Sequence, residues 1–201
     1  MKRIIFLSFF ICFFLCGCKS SNIFSAEEPE YMVSSIGFRK DNHSEKTVFL
    51  ESIVINAEDT EAEKKIITLE GKGKTLEGAY KKAKEKAVQP LNLNHCGVVI
   101  ISENTDIQFL EEICDFCYGK DPINLAAFFI YAPDVKKLLD EKPIASVSVG
   151  YDIMSRLSVG KEITGKEYKN RFYQIESLRK KGKNDFDIPL LKDGIFVPKG
   201  D

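Results

Sequence analysis

The sequence predicts an α+β fold, a mixed β-sheet with helices packed on it, and three observations carry that prediction. Apolar residues alternate at a period of two from Tyr31 to about Glu70. The period changes to about 3.6 at Leu76, and beyond it short runs of branched residues alternate with amphipathic stretches. With 44% hydrophobic and 11% aromatic residues, the 201-residue chain has ample side chain for a core and reads as globular rather than disordered.

Tyr31 to Phe38 alternates as a strand. The turn-rich Asp41-Asn42-His43-Ser44 separates it from Thr47 to Ile55, rich in Val, Ile and Phe, so the pair reads as a hairpin. A charged stretch, Glu58 to Lys65, leads to a third strand from Ile66 to Glu70, and Gly71 and Gly73 read as a turn. Leu76, Ala79, Tyr80, Ala83, Ala87 and Val88 then share one helical face, opposite Lys81, Lys82, Lys84, Glu85 and Lys86. Thr75 is placed to cap this helix and Pro90 to end it.

Gly97 to Ile101 is short and branched enough for a buried strand. Ile107 to Tyr118 is a second helix, with Ile107, Leu110, Ile113, Cys114 and Cys117 on its apolar face. A strand is expected from Asn124 to Tyr131, and a short helix opened by Pro133 runs through Leu139. Two weaker helical segments lie between Ala145 and Gly182, joined by Gly160 to Gly165. The strand pieces Ile188 to Leu191 and Ile195 to Val197 follow.

The N-terminus has a different character. Lys2 and Arg3 precede an apolar run, Ile4 to Leu15, that holds five phenylalanines. Such a run is shorter than the roughly 20 residues a spanning helix needs, so residues 1–17 read as a cleaved signal peptide. Leu15-Cys16-Gly17-Cys18 has the order of a lipobox, and Cys18 is the expected lipidation site, with residues 18–30 as a polar tether. Loss of Lys2 and Arg3 from 29 basic residues leaves 27 against 30 acids, a net charge near −3 that argues against nucleic acid as a partner. Of six cysteines only Cys96, Cys114 and Cys117 then remain as thiols. Being odd in number they imply no fully paired disulfide framework, and buried packing is the favoured reading.

Three constellations invite chemistry and fall short of it. Gly71-Lys72-Gly73-Lys74-Thr75 lies where a phosphate loop would, but the glycine needed at position 68 is Thr68, so a turn and a helix cap explain it better. His95 and Cys96, if they lie on the strand continued by Gly97 to Ile101, point to opposite faces and form no nucleophile–base pair. Cys114 and Cys117 have a metal-like spacing that His95 and Cys96 would complete, yet one such pair on an apolar helix face is a weak signal. No cofactor, metal or catalytic set is expected. The lysines of 81–86 and Arg179-Lys180-Lys181 read as solvated faces, with contact to anionic lipid headgroups as the alternative.

The ordered set of motifs resembles the N-terminal domain of the Ger(x)C spore germination lipoproteins, the C subunits of nutrient germinant receptors. Met32-Val33-Ser34-Ser35-Ile36-Gly37-Phe38 is similar to the family's first strand, and Gly71-Lys72-Gly73-Lys74-Thr75-Leu76 to its helix start. His95 with Val98-Val99-Ile100-Ile101-Ser102-Glu103 is similar to its central strand. Asn124 to Ala132 with Val135 to Leu138, and Ile188-Pro189-Leu190 with Gly194-Ile195-Phe196-Val197, resemble the segments that close the domain. Lys19-Ser20 stands where the family has Trp-Asp.

The resemblance implies residues 31–142 as the α/β domain core, and 143–201 as a helical extension with the shortened start of a second domain. It also implies a non-enzymatic subunit acting in spore germination. Such a subunit is anchored by diacylglycerol at the outer face of the cytoplasmic (inner spore) membrane, beside integral-membrane A and B receptor subunits. The rival expectation is an envelope lipoprotein of unrelated role, a ligand-binding or assembly module.

Overall fold

The structure, a computed structural model, describes residues 30–54, 65–160, 162 and 165–199. The expected signal peptide, Leu15, Cys16, Gly17 and Cys18 therefore lie outside the described residues, as do all of the tether except Glu30 and most of the charged stretch after Ile55.

Strands β1 (Tyr31–Lys40), β2 (Lys46–Val54) and β3 (Lys65–Gly73) form an antiparallel meander. Helix α1 (Leu76–Lys84) leads to the two-residue strand β4 (Leu91–Asn92) and a 3₁₀ turn (Leu93–His95). Strand β5 (Val98–Ser102), α2 (Ile107–Cys117), β6 (Phe128–Ala132) and α3 (Val135–Leu139) follow. The chain then runs through α4 (Val149–Val159), α5 (Phe172–Arg179), β7 (Pro189–Lys192) and β8 (Ile195–Pro198). The sheet order is β3-β2-β1-β5-β6-β7-β8, with β4 paired to β1. β1, β5, β6 and β7 run parallel, and β2, β3 and β8 are antiparallel to their neighbours. The expected mixed sheet with helices packed on it is the observed fold.

The central strands explain their own sequences. Strands buried on both faces need apolar residues at every position, and β5 (Val98-Val99-Ile100-Ile101) and β6 (Phe128-Phe129-Ile130-Tyr131) read that way. Val99, Ile101, Phe129 and Tyr131 pack with α1, α2 and α5 on one face. Val98, Ile100, Phe128 and Ile130 pack with α3 and α4 on the other. Helix starts are set locally: Thr75 accepts from Gly78 N at 3.1 Å, Asp106 from Phe109 N at 2.7 Å and Asp134 from Lys137 N at 3.0 Å.

Four local readings need correction. Gly71 and Gly73 do not turn the chain but complete β3, where their lack of a side chain lets α1 lie directly on the strand. A Cβ on Gly71 would stand 2.1 Å from Ala79 O and 2.3 Å from Ala83 N, so the pattern records close packing. Residues 124–127 form a turn, with Asn124 Oδ1 accepting from Ala126 N at 2.9 Å, and the strand starts only at Phe128. The short helix begins at Val135, capped by Asp134, so Pro133 precedes it. His95 and Cys96 lie on the 3₁₀ turn and its end, before β5. The pieces at 188–198 pair with β6 and each other, extending the same sheet.

Candidate functional site

The parity of β1 breaks once, where its register against β2 shifts between Val33 and Ser35. A bulge of this kind re-aims side chains, and here Ser34 and Ser35 both present their hydroxyls to one residue of β2. That residue is Glu51, a fully buried acid within the apolar run Val48 to Val54. Its Oε2 accepts from Ser34 Oγ at 2.6 Å and Ser35 Oγ at 3.0 Å. The backbone N–H of Gly150 donates to Oε2 and that of Val149 to Oε1, each at 2.8 Å.

A carboxylate out of water is tolerated only when its oxygens are fully hydrogen-bonded, and the first N–H groups of a helix are donors with no partner inside the helix. Glu51 joins the two requirements. It satisfies the N-terminus of α4, where the macrodipole also favours a negative charge, and so fastens that helix to the sheet. Gly150 makes the approach possible, because a Cβ there would stand 2.8 Å from Ser35 Cβ and 3.0 Å from Glu51 Oε2. Ser148 caps the same turn, accepting from Tyr151 N at 3.2 Å. The constellation is a buried polar joint between β1, β2 and α4.

A second feature opens to solvent. Beyond the carboxyl ends of β6 and β7 lies a cavity of about 460 Å³, walled by α3, α4 and the β7–β8 hairpin. Crevices at the carboxyl ends of parallel strands are common binding places. Lys137, Lys142, Asp152 and Arg156 give this one charges of both signs, with Leu138 and Leu191 as apolar wall. Arg156 is itself engaged, donating to Gly194 O and lying 4.7 Å over the Phe196 ring, which pins the hairpin to α4. Asp152 accepts from Ala145 N at 3.0 Å and holds the segment that leads into α4.

The model of one protein family, described as spore germination protein N-terminal domain, matches residues 29–193. The chain belongs to this family. No curated protein and no solved structure matches it. The germination domain thus spans β1 through β7, and includes the Glu51 joint and every residue lining the cavity except Gly194. Family membership gives the chain a role in spore germination.

Within the germination domain the residues singled out from sequence have separate fates. Lys72, Lys74 and Thr75 stand at the end of β3 and the cap of α1, where Thr75 is committed to Gly78 N. His95 is exposed on the 3₁₀ turn, whereas Cys96 is fully buried with Sγ donating to Val98 O at 3.4 Å. Cys96, Cys114 and Cys117 are free and buried in the core shared by α1, α2 and α5. The zinc set weighed from sequence does not assemble. Among the described residues no group of three or more His, Cys, Asp and Glu side chains is placed to hold a metal.

Burial pushes the thiols of Cys96 and Cys114 up to about 12, and that of Cys117 well above its ordinary value. Thiolate is the reactive form, so alkylation by iodoacetamide at pH 8 is expected to be blocked in the native domain and to proceed at all three sites in denaturant. Rapid native labelling would contradict the packing. The same raised values make stability pH-dependent. It is fully present below about pH 9, where both folded and unfolded thiols are protonated, and falls as pH rises toward 12 because only the unfolded thiols ionise.

Proposed function

We propose that this germination domain is a non-catalytic, membrane-tethered subunit of a nutrient germinant receptor. Diacylglycerol on Cys18 holds it at the outer face of the cytoplasmic (inner spore) membrane, beside integral-membrane A and B subunits. The family match over residues 29–193 carries the reading, and the lipobox order Leu15-Cys16-Gly17-Cys18 supplies the anchor. Among the described residues no helix is long and apolar enough to cross a membrane, so a lipid is the natural means of attachment.

The physical role of the tether is concentration. One acyl chain binds a bilayer only marginally, whereas two give stable residence and keep the domain at high effective concentration near its partners. The non-catalytic reading draws support from the buried, protonated thiols, from His95 lying apart from them at the surface, and from Glu51, whose oxygens are occupied by internal donors.

Deleting the gene and scoring spores against defined nutrients tests the proposal. Germination in response to at least one nutrient is expected to be lost and to return when the intact chain is supplied in trans. Unchanged germination with every nutrient would contradict it.

A further inference from the structure

We infer that the end of the sheet where the tether joins the domain is a lipid-facing surface that rests on an anionic bilayer, an inference that builds on the tethered reading above. β1, β5, β6 and β7 run parallel, so their amino ends share one end of the sheet. Glu30 leads into β1 there, and the Tyr31 N–H donates to Pro90 O at 2.9 Å. Residues 19–29 span at most about 40 Å even when fully extended, so the chain from Cys18 enters the domain at this end.

Four exposed apolar side chains, Val88, Tyr118, Leu125 and Tyr173, lie at that end. Val88, two residues before Pro90, is 85% exposed. Tyr118, Leu125 and Tyr173 are 59%, 49% and 50% exposed, and Tyr173 is tied to its neighbour by Tyr173 N donating to Leu125 O at 2.9 Å. With Lys180 and Lys181 these three line a shallow depression of about 450 Å³, and the Lys180 ammonium sits 5.9 Å from the Tyr118 ring centroid. Lys84 reaches Asp121 at 3.9 Å and joins the Val88 side to the tyrosine side.

The charges complete the case for a bilayer. Five acids here have partners: Asp115 with Arg179 at 2.6 Å, Glu176 with the same guanidinium, Asp121 with Lys84, Glu85 with Lys81 at 3.9 Å, and Glu30 with the Asn92 amide at 2.8 Å. Lys86, Lys120, Lys180 and Lys181 are exposed around the apolar centre. Tyrosine places an apolar ring and a polar tip at headgroup depth, and lysine lays its stem on apolar surface while its ammonium meets anionic lipid. A protein partner of the same polarity would need acidic groups around an apolar centre, whereas an anionic leaflet offers both continuously.

The test uses the full chain, purified from its membranes, and exploits the absence of tryptophan from the sequence. Tyr173→Trp is an exposed aromatic exchange that reports local polarity, and Ile195→Trp, on a residue 64% exposed at the opposite end of the sheet, is its control. In vesicles of phosphatidylglycerol and phosphatidylcholine, the Tyr173→Trp emission is expected to shift to the blue and to be quenched by brominated acyl chains. Both effects should be weaker in pure phosphatidylcholine, absent for Ile195→Trp, and lost when Lys180→Glu and Lys181→Glu are added, with far-ultraviolet circular dichroism unchanged.

An unshifted Tyr173→Trp protein that still floats with vesicles overturns the surface and leaves the anchor standing, and directs the patch to a protein partner instead. A protein that neither floats nor shifts overturns both. A lipid-dependent shift in protein carrying no fatty acid supports the surface and refutes the anchor.

Discussion

Glu51→Ala is expected to destabilise the domain by about 3–5 kcal/mol, because it strips the shared acceptor from a group of buried donors. Two serine hydroxyls and the first N–H groups of α4 would lose the carboxylate, with Ser34 retaining only the backbone carbonyl of residue 51 at 3.3 Å, and α4 would lose its fastening to β1 and β2. A fall of that size is a large fraction of the roughly 5–15 kcal/mol that holds a typical domain folded. Urea denaturation followed by circular dichroism measures it, as a lower midpoint with an unchanged slope.

Ser34→Ala removes one donor and leaves the carboxylate with three, so it should cost about 1 kcal/mol. Combined with Glu51→Ala it should cost less than the sum of the two, since the hydroxyl has already lost its carboxylate acceptor and keeps only the longer bond to the backbone carbonyl of residue 51, at 3.3 Å. Equal effects of Glu51→Ala and Ser34→Ala would contradict the joint.

Cys18→Ser is expected to have the largest effect on function: no fatty acid is incorporated, and nutrient-triggered germination falls to the level of the gene deletion. Oxygen in place of sulfur would remove the proposed nucleophile for diacylglycerol, while the sheet, whose first strand starts at Tyr31, would be untouched. The energy at stake is large, about 0.8 kcal/mol for each methylene buried in the bilayer over two acyl chains. The lysine and tyrosine surface around Tyr173 does not replace an anchor of that strength. Radiolabelled palmitate in growing cells, with germination scored on the resulting spores, measures both effects. Continued labelling of the serine variant would show that the lipid sits elsewhere.

Much of the sheet was legible because periodicity is local. The change from period two to 3.6 at Leu76, the Thr75 cap and the apolar runs of β5 and β6 all follow from neighbouring residues. The errors arise where a residue's reason lies elsewhere in the fold. Gly71 and Gly73 resemble turn residues, yet what requires them is the backbone of α1.

Glu51 is not singled out by the sequence because its backbone donors come from residues 98 and 99 positions later. A trace was present all the same: an acid inside the apolar run Val48 to Val54, two adjacent serines in the pairing strand, and a Ser148-x-Gly150 helix start. His95 and Cys96, expected on one strand with side chains to opposite faces, are separated in another way. A turn carries His95 to the surface while Cys96 stays in the core.

The proposed attachment of the domain to a membrane is tested most directly by the mass of its N-terminal peptide, taken from chain extracted from membranes and digested. The peptide is expected to begin at Cys18 and to be heavier than its amino acids by a diacylglyceryl group. A peptide beginning at any other residue, or a Cys18 peptide of unmodified mass, would contradict it.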